Sequence, residues 1–91
     1  MRDTIRGPVL RVIDGDTFDM EVTHFGRNNK YEYNNAERIR IANIHKPPLR
    51  TPAGMRSKIN LERRLMGRIV RCYIQTRDTY RRLVAKIKIV K

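Results

Sequence analysis

The chain has little that could stabilise it other than a packed core. Its 91 residues include one cysteine, Cys72, and no tryptophan. A single cysteine cannot form an internal disulfide, and it gives no zinc-binding pattern. There is no apolar run long enough for a transmembrane helix, and the start of the chain lacks the apolar segment of a signal peptide. We therefore expect one small cytoplasmic domain, residues 1–91, with residues 1–7 as a loose leader.

Acidic residues are scarce in the second half of the chain. Residues 1–45 contain seven Lys/Arg and seven Asp/Glu, whereas residues 46–91 contain fourteen Lys/Arg against Glu62 and Asp78. Such an excess attracts polyanions, among which nucleic acid gains most through counterion release. A basic surface that only keeps the protein soluble is the alternative. We expect no membrane partner, because the basic residues are spread over several predicted elements rather than one amphipathic helix.

Alternating apolar residues predict mostly β-strands. In the segment ERIRIANI, Ile39 and Ile41 are expected to face inward while Arg38 and Arg40 face solvent. Cys72 is expected to be a small buried hydrophobic residue. Residues 24–35 are expected to form the tip of a second hairpin. The predicted strands span residues 8–13, 17–22, 37–44, 68–76 and 81–91.

One helix is predicted between the third and fourth strands, over residues 51–67. Thr51 is its expected N-cap, Pro52 its first residue and Gly67 its end. The residues expected on its buried face are Met55, Ile59, Leu65 and Met66, with Leu61 at the border. Five strands with one inserted helix predict a mainly β domain, a small Greek-key barrel of the OB type, whose face and loops often bind oligonucleotides.

The segment IDGDT places Asp14 and Asp16 on either side of Gly15. One interpretation is a hairpin turn, because Asp and Gly favour turn conformations. The other is a metal or phosphate site. Two close carboxylates repel unless a cation compensates them, and their hard oxygens suit calcium or magnesium.

Three motifs in order, VIDGDTF, ERIRIANI followed by prolines, and RDTYRRLVAKI after the helix, together resemble the staphylococcal nuclease-like (thermonuclease) domain family over residues 8–89. The resemblance implies an OB-type barrel that hydrolyses DNA and RNA with a calcium ion. It implies Asp16 as a direct metal ligand with Asp14 beside it, and Arg40 and Arg82 as the residues that bind the phosphate. The arginine fork suits a phosphate, and the alternative for both arginines is a solvated face or an ion pair with Asp14, Asp16 or Glu37.

The chain departs from the family where the latter has an Asp-Thr-Pro-Glu segment. Here the residues are His45, Lys46, Pro47 and Pro48, so one metal ligand and the general base are missing. No Asp or Glu lies between Glu37 and Glu62 to replace them. A general base typically contributes ~10²- to 10⁴-fold, so its loss would cripple hydrolysis without abolishing phosphate binding. His45 could serve as a base or a manganese ligand, or be an exposed loop residue.

We therefore expect a barrel that binds DNA or RNA, with metal-dependent hydrolysis lost or much weakened and any divalent cation weakly bound. The residues expected to contact nucleic acid are Lys46, Tyr80, Arg81, Arg82 and Lys86. A working phosphodiesterase that uses calcium, magnesium or manganese is one alternative, and a protein-interaction module is another. The sequence stops before the family's C-terminal helices, so we expect either a trimmed or minimal version of the domain, or a homodimer in which a second copy covers the apolar edge.

Overall fold

The computed structural model describes residues 3–44 and 46–91. It contains one helix, α1, between the fourth and fifth strands. The elements are β1 (Thr4–Asp14), β2 (Thr17–Glu21), β3 (His24–Phe25), β4 (Ala36–Ile41), α1 (Pro52–Leu65), β5 (Ile69–Arg77) and β6 (Leu83–Ile89).

Five of the strands form a closed barrel. They are ordered β2-β4-β6-β5-β1, and β1 pairs again with β2 to close the ring, while the short β3 lies beside β1. The 11-residue β1 makes this possible, because its first half pairs with β5 and its second half with β2. β4 and β6 run parallel, and the other barrel neighbours run antiparallel. The prediction of a mainly β barrel with one inserted helix is confirmed.

Alternating side chains fill the barrel, as the sequence pattern predicts. Ile39 and Ile41 are buried, and Arg38 on the same strand is exposed. Cys72 is also in the core, as predicted, and burial raises the pKa of its thiol to about 12. β4 ends at Ile41 rather than at residue 44, since Asn43 has a left-handed backbone (φ 64°) that no strand continues through.

The prediction of a loose leader over residues 1–7 is wrong for the part of it that the structure describes. Residues 4–7 belong to β1, where Ile5 is 1% exposed. Asp3 is held as well, because its carboxylate accepts hydrogen bonds from the backbone N–H of Lys30 and from the Tyr33 hydroxyl. Pairing with β5 and burial of one apolar side chain outweigh the cost of ordering this segment.

The start of α1 agrees with the sequence prediction. Thr51 caps it, since its hydroxyl accepts a hydrogen bond from the Gly54 N–H at 3.0 Å, and Pro52 is the first helical residue. Gly67 follows the last turn with a left-handed backbone (φ 77°). Within the described ranges, no helix is long and apolar enough to cross a membrane.

The predicted buried face of α1 is largely wrong. Met55, Ile59 and Met66 are 46%, 40% and 45% exposed, whereas the buried helix residues are Gly54, Leu61 and Leu65. The reason lies in the first turn, where Gly54 packs so closely on the Pro48 carbonyl that a Cβ atom would collide with it. That contact and the insertion of Leu61 and Leu65 fix the rotation of the helix about its axis.

The connection between β2 and β4 is longer and less regular than the predicted hairpin tip. The short β3 pairs with β1 instead of extending the hairpin, and residues 26–35 are irregular apart from one turn at residues 27–28. Tyr33 is anchored through its hydroxyl to Asp3 at 2.6 Å, while Tyr31 is 71% exposed. His24 is at the surface, as predicted.

Candidate phosphate site at the aspartate turn

The turn between β1 and β2 carries the two aspartates. Its own side chains hold it together, since the Asp16 N–H donates to Asp14 Oδ1 at 3.1 Å. The Thr17 hydroxyl donates to Asp16 Oδ1 at 2.7 Å. Asp16 is only 3% exposed. The hairpin turn and the candidate site are therefore built from the same residues. The turn buries the Asp16 carboxylate and fixes the Asp14 carboxylate through a hydrogen bond.

Gly15 is required here for space. It does not have a left-handed backbone, in contrast to Gly67. A Cβ atom at Gly15 would lie 2.7 Å from Cβ of Ser57 in α1, which is closer than two carbon atoms can approach. The glycine therefore lets the aspartate turn pack against the helix, and the helix fixes the position of the turn.

Two cationic side chains lie beside the aspartates. Arg40 Nε is 3.6 Å from Asp16 Oδ2, and Lys46 Nζ is 3.5 Å from Asp14 Oδ2. Arg40 reaches the turn because it lies directly opposite Thr17 in the pairing of β2 with β4, so both side chains share the outer face. Each carboxylate thus has a cation near it.

The two carboxyl groups have different protonation behaviour. Burial raises the pKa of Asp16 above its usual value, and the adjacent Asp14 carboxyl acts in the same direction. Burial acts on Asp14 too, but hydrogen bonds from Asp16 and the Lys46 ammonium outweigh it and hold the pKa of Asp14 below its usual value. Of the pair, Asp14 is the one that stays ionised more readily.

The loop between β5 and β6 brings Arg82 to the same place. Asp78 organises this loop, because its Oδ1 accepts hydrogen bonds from the N–H groups of Tyr80 and Arg82, both at 2.9 Å. Asp78 Oδ2 accepts from Arg82 Nε at 2.8 Å. Arg82 Nη1 then lies 3.5 Å from the Thr17 hydroxyl. The guanidinium is held between the loop and the aspartate turn.

Two further residues of this loop are exposed. Tyr80 is 79% exposed, and its ring centroid is 5.3 Å from Arg82 Cζ, within the range of a cation–π contact. Arg81 has a left-handed backbone (φ 63°), which is unfavourable for a residue with a long side chain. The strained position directs the chain so that Tyr80 and Arg82 lie next to each other.

The structure brings together Asp14, Asp16, Arg40, Lys46 and Arg82, which come from four separate segments of the sequence. Tyr80 and Arg81 lie in the same loop as Arg82. Lys86 lies further along the outer face of β6, two residues beyond the strand position that pairs with Arg40. The predicted role of His45 falls outside the described residues.

The described residues fit a resident calcium ion poorly. Tight calcium sites collect several charged oxygens, whereas here two carboxylates already have Arg40 and Lys46 beside them. Among residues 3–44 and 46–91, no three histidine, cysteine or carboxylate side chains cluster as metal ligands do. The Lys46 ammonium lies where a divalent cation would have to approach Asp14.

Sequence reasoning missed two residues that hold the site. Thr17 links Asp16 to Arg82, and Asp78 positions Arg82. Asp at the first position of a turn is a recognised signal for such a loop, so Asp78 could have been found from the sequence. Nothing in the sequence indicates that Thr17 would contact a residue 65 positions away.

A separate groove of about 580 Å³ lies at the Tyr33 end of the molecule, and none of the predicted site residues lines it. Its lining includes two acids, Asp3 and Glu32, and Asp3 already accepts hydrogen bonds from Lys30, Tyr31 and Tyr33. We place the candidate site at the aspartate turn because two carboxylates and three cationic side chains from distant segments converge there.

A scan of the chain against models of known protein families finds no match, and a search of curated proteins finds none either.

Proposed function

We propose that this chain is a nucleic-acid-binding barrel of the staphylococcal nuclease-like OB type, which grips backbone phosphate with Arg40 and Arg82 and has lost most or all metal-dependent hydrolysis. The observation that carries the proposal is the meeting of these two arginines at Thr17. Arg40 is its cross-strand partner, and Arg82 Nη1 is 3.5 Å from its hydroxyl. Thr17 is itself only 1% exposed, so a phosphate would lie outside it, against the two guanidinium groups, and would receive donors from both.

The strand order supports the OB assignment. Counting only the barrel strands, the first pairs with the second and fourth, and the third pairs with the second and fifth. OB barrels bind oligonucleotides with the loops after their first and fourth strands. In this chain those loops are the aspartate turn and the Asp78–Arg82 loop, which are the two that carry the candidate site.

Arg82 has donors left for a phosphate. Asp78 accepts from its Nε, and Thr17 lies near its Nη1, while Nη2 has no hydrogen-bond partner among the described residues. Arg40 is 37% exposed, so its guanidinium can be reached from solvent. Tyr80 lies beside Arg82 with most of its ring exposed, where a base could stack on it.

The surroundings of the carboxylates support binding over hydrolysis. The Lys46 ammonium beside Asp14 opposes a divalent cation at this position. No carboxylate occurs between Glu37 and Glu62 to act as the general base toward water. The positive charges that bind phosphate remain, and the groups that would generate and direct a nucleophile do not.

The proposal is tested with labelled single-stranded DNA and RNA in calcium, magnesium, manganese or EDTA. We expect a complex whose affinity falls steeply with salt, with intact oligonucleotide in every metal. Arg40→Gln and Arg82→Gln should each weaken binding roughly 10-fold or more, as expected for the loss of a charge-assisted hydrogen bond. Arg63→Gln on the exposed side of α1 is the control with the same change in net charge.

Metal-dependent cleavage that disappears in both Asp16→Ala and Arg40→Ala would instead make the chain an active phosphodiesterase. Absence of salt-dependent binding to any oligonucleotide would favour the protein-interaction module. Equal affinities of Arg40→Gln, Arg82→Gln and Arg63→Gln would show that the site does not hold phosphate.

A further inference from the structure

A row of basic side chains crosses the barrel away from the aspartate turn. In the strand register, Arg6 of β1 lies directly opposite His24 of β3 on one side and Arg71 of β5 on the other. Arg71 in turn lies opposite Lys88 of β6. Directly opposed residues share a face, and in β1, β5 and β6 the neighbours of these residues along the strand are buried or half-buried, whereas His24 lies in the short, exposed β3. We call His24, Arg6, Arg71 and Lys88 the basic row.

The basic row has no acidic partner within residues 3–44 and 46–91, where the six ion pairs all involve other residues. Like charges directly opposite one another destabilise a sheet. Elsewhere on this barrel, cross-strand arginines are compensated, since Asp19 lies between Arg11 and Arg38 and pairs with both. The basic row lacks such an acid, so its charges are available to an anionic ligand.

The surface beside the basic row has groups that suit bases. The next row contains Thr4, Tyr73 and Lys86, opposite one another in β1, β5 and β6. Phe25 is 48% exposed next to His24. A groove of about 340 Å³ runs between the two rows, and among its lining residues are Arg6, Phe25, Arg71 and Tyr73. Cations alternating with aromatic rings are the combination that binds single-stranded nucleic acid.

Strand β6 connects this surface to the candidate phosphate site. Val84 lies opposite Arg40, and Lys86 and Lys88 follow on the same outer face of β6. Each residue along a strand covers about 3.3 Å, so Lys88, four residues beyond Val84, lies about 13 Å beyond the Arg40 position. From Lys88 the basic row continues across three strand spacings, which is about 14 Å.

We infer that the basic row is a second contact surface for the backbone of a single-stranded nucleic acid, which would run from Arg40 and Arg82 along β6 and around the barrel to β3. This rests on the proposed function, because the first phosphate is held at the aspartate turn. A flexible single strand can follow the curved surface of so small a barrel, whereas a stiff duplex cannot bend around it. The exposed aromatic rings favour unpaired bases for the same reason.

The inference is tested by measuring whether substitutions in the basic row weaken the binding of a long oligonucleotide but not that of a short one. We compare oligodeoxythymidylates of about 4 and about 16 nucleotides, the limits typical of one OB fold. The variant is Arg71→Gln/Lys88→Gln, and Arg63→Gln/Arg64→Gln on the exposed end of α1 is the control of equal charge. Each phosphate contact contributes about 0.7 to the salt slope for single strands, so the variant should lower the slope for the long oligonucleotide by about 1.4.

The expected result is that the basic-row variant binds the short oligonucleotide as the wild type does and loses affinity and salt slope for the long one, while the control loses neither. Equal behaviour of variant and control on the long oligonucleotide would overturn the inference and leave the proposed function intact. Failure of the wild type to bind either oligonucleotide would overturn both.

The claim that the basic row has no acidic partner can also be tested on the free protein, without nucleic acid. Because the row sets like charges side by side, Arg71→Gln should raise the urea midpoint of the free protein at low salt, and the gain should shrink at high salt. A lower midpoint for Arg71→Gln would contradict the claim that the charges of the basic row have no acidic partner. Should the double variant fail to fold, Lys88→Gln alone, at an exposed position, replaces it. Binding of the protein to vesicles of anionic lipid is measured as well. Binding to the vesicles but to no oligonucleotide would overturn the assignment of the basic row to nucleic acid.

Discussion

Replacing Lys46 with glutamine would test whether this ammonium compensates the aspartate pair. Lys46 Nζ is 3.5 Å from Asp14 Oδ2, and the two side chains are 26% and 16% exposed. At that distance the Coulomb attraction is about 5 kcal/mol at an effective dielectric constant of 20 and about 1 kcal/mol in bulk water. Desolvation offsets part of this for a half-buried pair, so we expect Lys46→Gln to lower the free energy of unfolding by about 1–2 kcal/mol at neutral pH.

The loss should depend on pH in a direction fixed by Asp14. Its pKa lies below the usual value in the folded state, so its stabilising contribution is present above the unfolded pKa of about 3.9 and disappears as the pH falls through the folded value. Without Lys46 that contribution is reduced. Urea unfolding followed by circular dichroism should therefore separate wild type from variant at pH 7 and show them converging as the pH falls below the unfolded pKa of Asp14.

The same variant should create a weak metal site. With the ammonium gone, the Asp14 carboxylate has no cation beside it, while Arg40 still lies 3.6 Å from Asp16 Oδ2. For a dissociation constant of about 1 mM, about 10 mM calcium would stabilise the variant by about 1.4 kcal/mol. The wild type and the equally charged control Arg63→Gln should show no such gain. Equal stability of wild type and Lys46→Gln at pH 7, or calcium stabilisation of the wild type, would refute the role given to Lys46.

Two further predictions concern packing. Gly15→Ala puts a methyl group 2.7 Å from Cβ of Ser57 and should destabilise the fold by about 1–3 kcal/mol in urea unfolding, with Gly15→Ala/Ser57→Gly recovering part of the loss; an unchanged midpoint in the single variant would mean that the helix does not fix the turn. Leu61→Ala, at a site 4% exposed, should cost about 2–5 kcal/mol, whereas Met55→Ala, at a site 46% exposed, should cost less than about 0.5 kcal/mol. A larger loss of stability in Met55→Ala than in Leu61→Ala would support the buried helix face predicted from the sequence.

The β-strands and the start of the helix could be predicted because their signals are local. Alternation in ERIRIANI gives the inward Ile39 and Ile41, and a Thr-Pro pair after KPP gives a cap and a first helical residue. The strand at residues 4–7 was missed although Ile5 and Arg6 alternate there, since the segment is too short to be recognised without its partner β5.

The candidate site could be predicted in part. The resemblance carried by three short motifs selects Asp14, Asp16, Arg40 and Arg82, and the structure brings all four together. It also puts Lys46 in the family's metal-ligand segment, with its positive charge beside the metal position, and the structure has that ammonium 3.5 Å from Asp14 Oδ2. It gives no indication that Asp78 would pair with Arg82 or that Arg82 would contact Thr17. The second contact depends on which loops meet, and loops are brought together by the barrel rather than by their own sequence.

By itself the sequence determined the periodic elements, the cap of α1, the buried Cys72 and the charge asymmetry of the two halves, because each of these follows from a residue and its near neighbours. Tertiary structure alone decided which face of α1 is buried, why Gly15 must be glycine, and that four basic or histidine side chains form one row. The physical reason is that close packing and strand register depend on atoms that are far apart in the chain, and a local pattern cannot specify them.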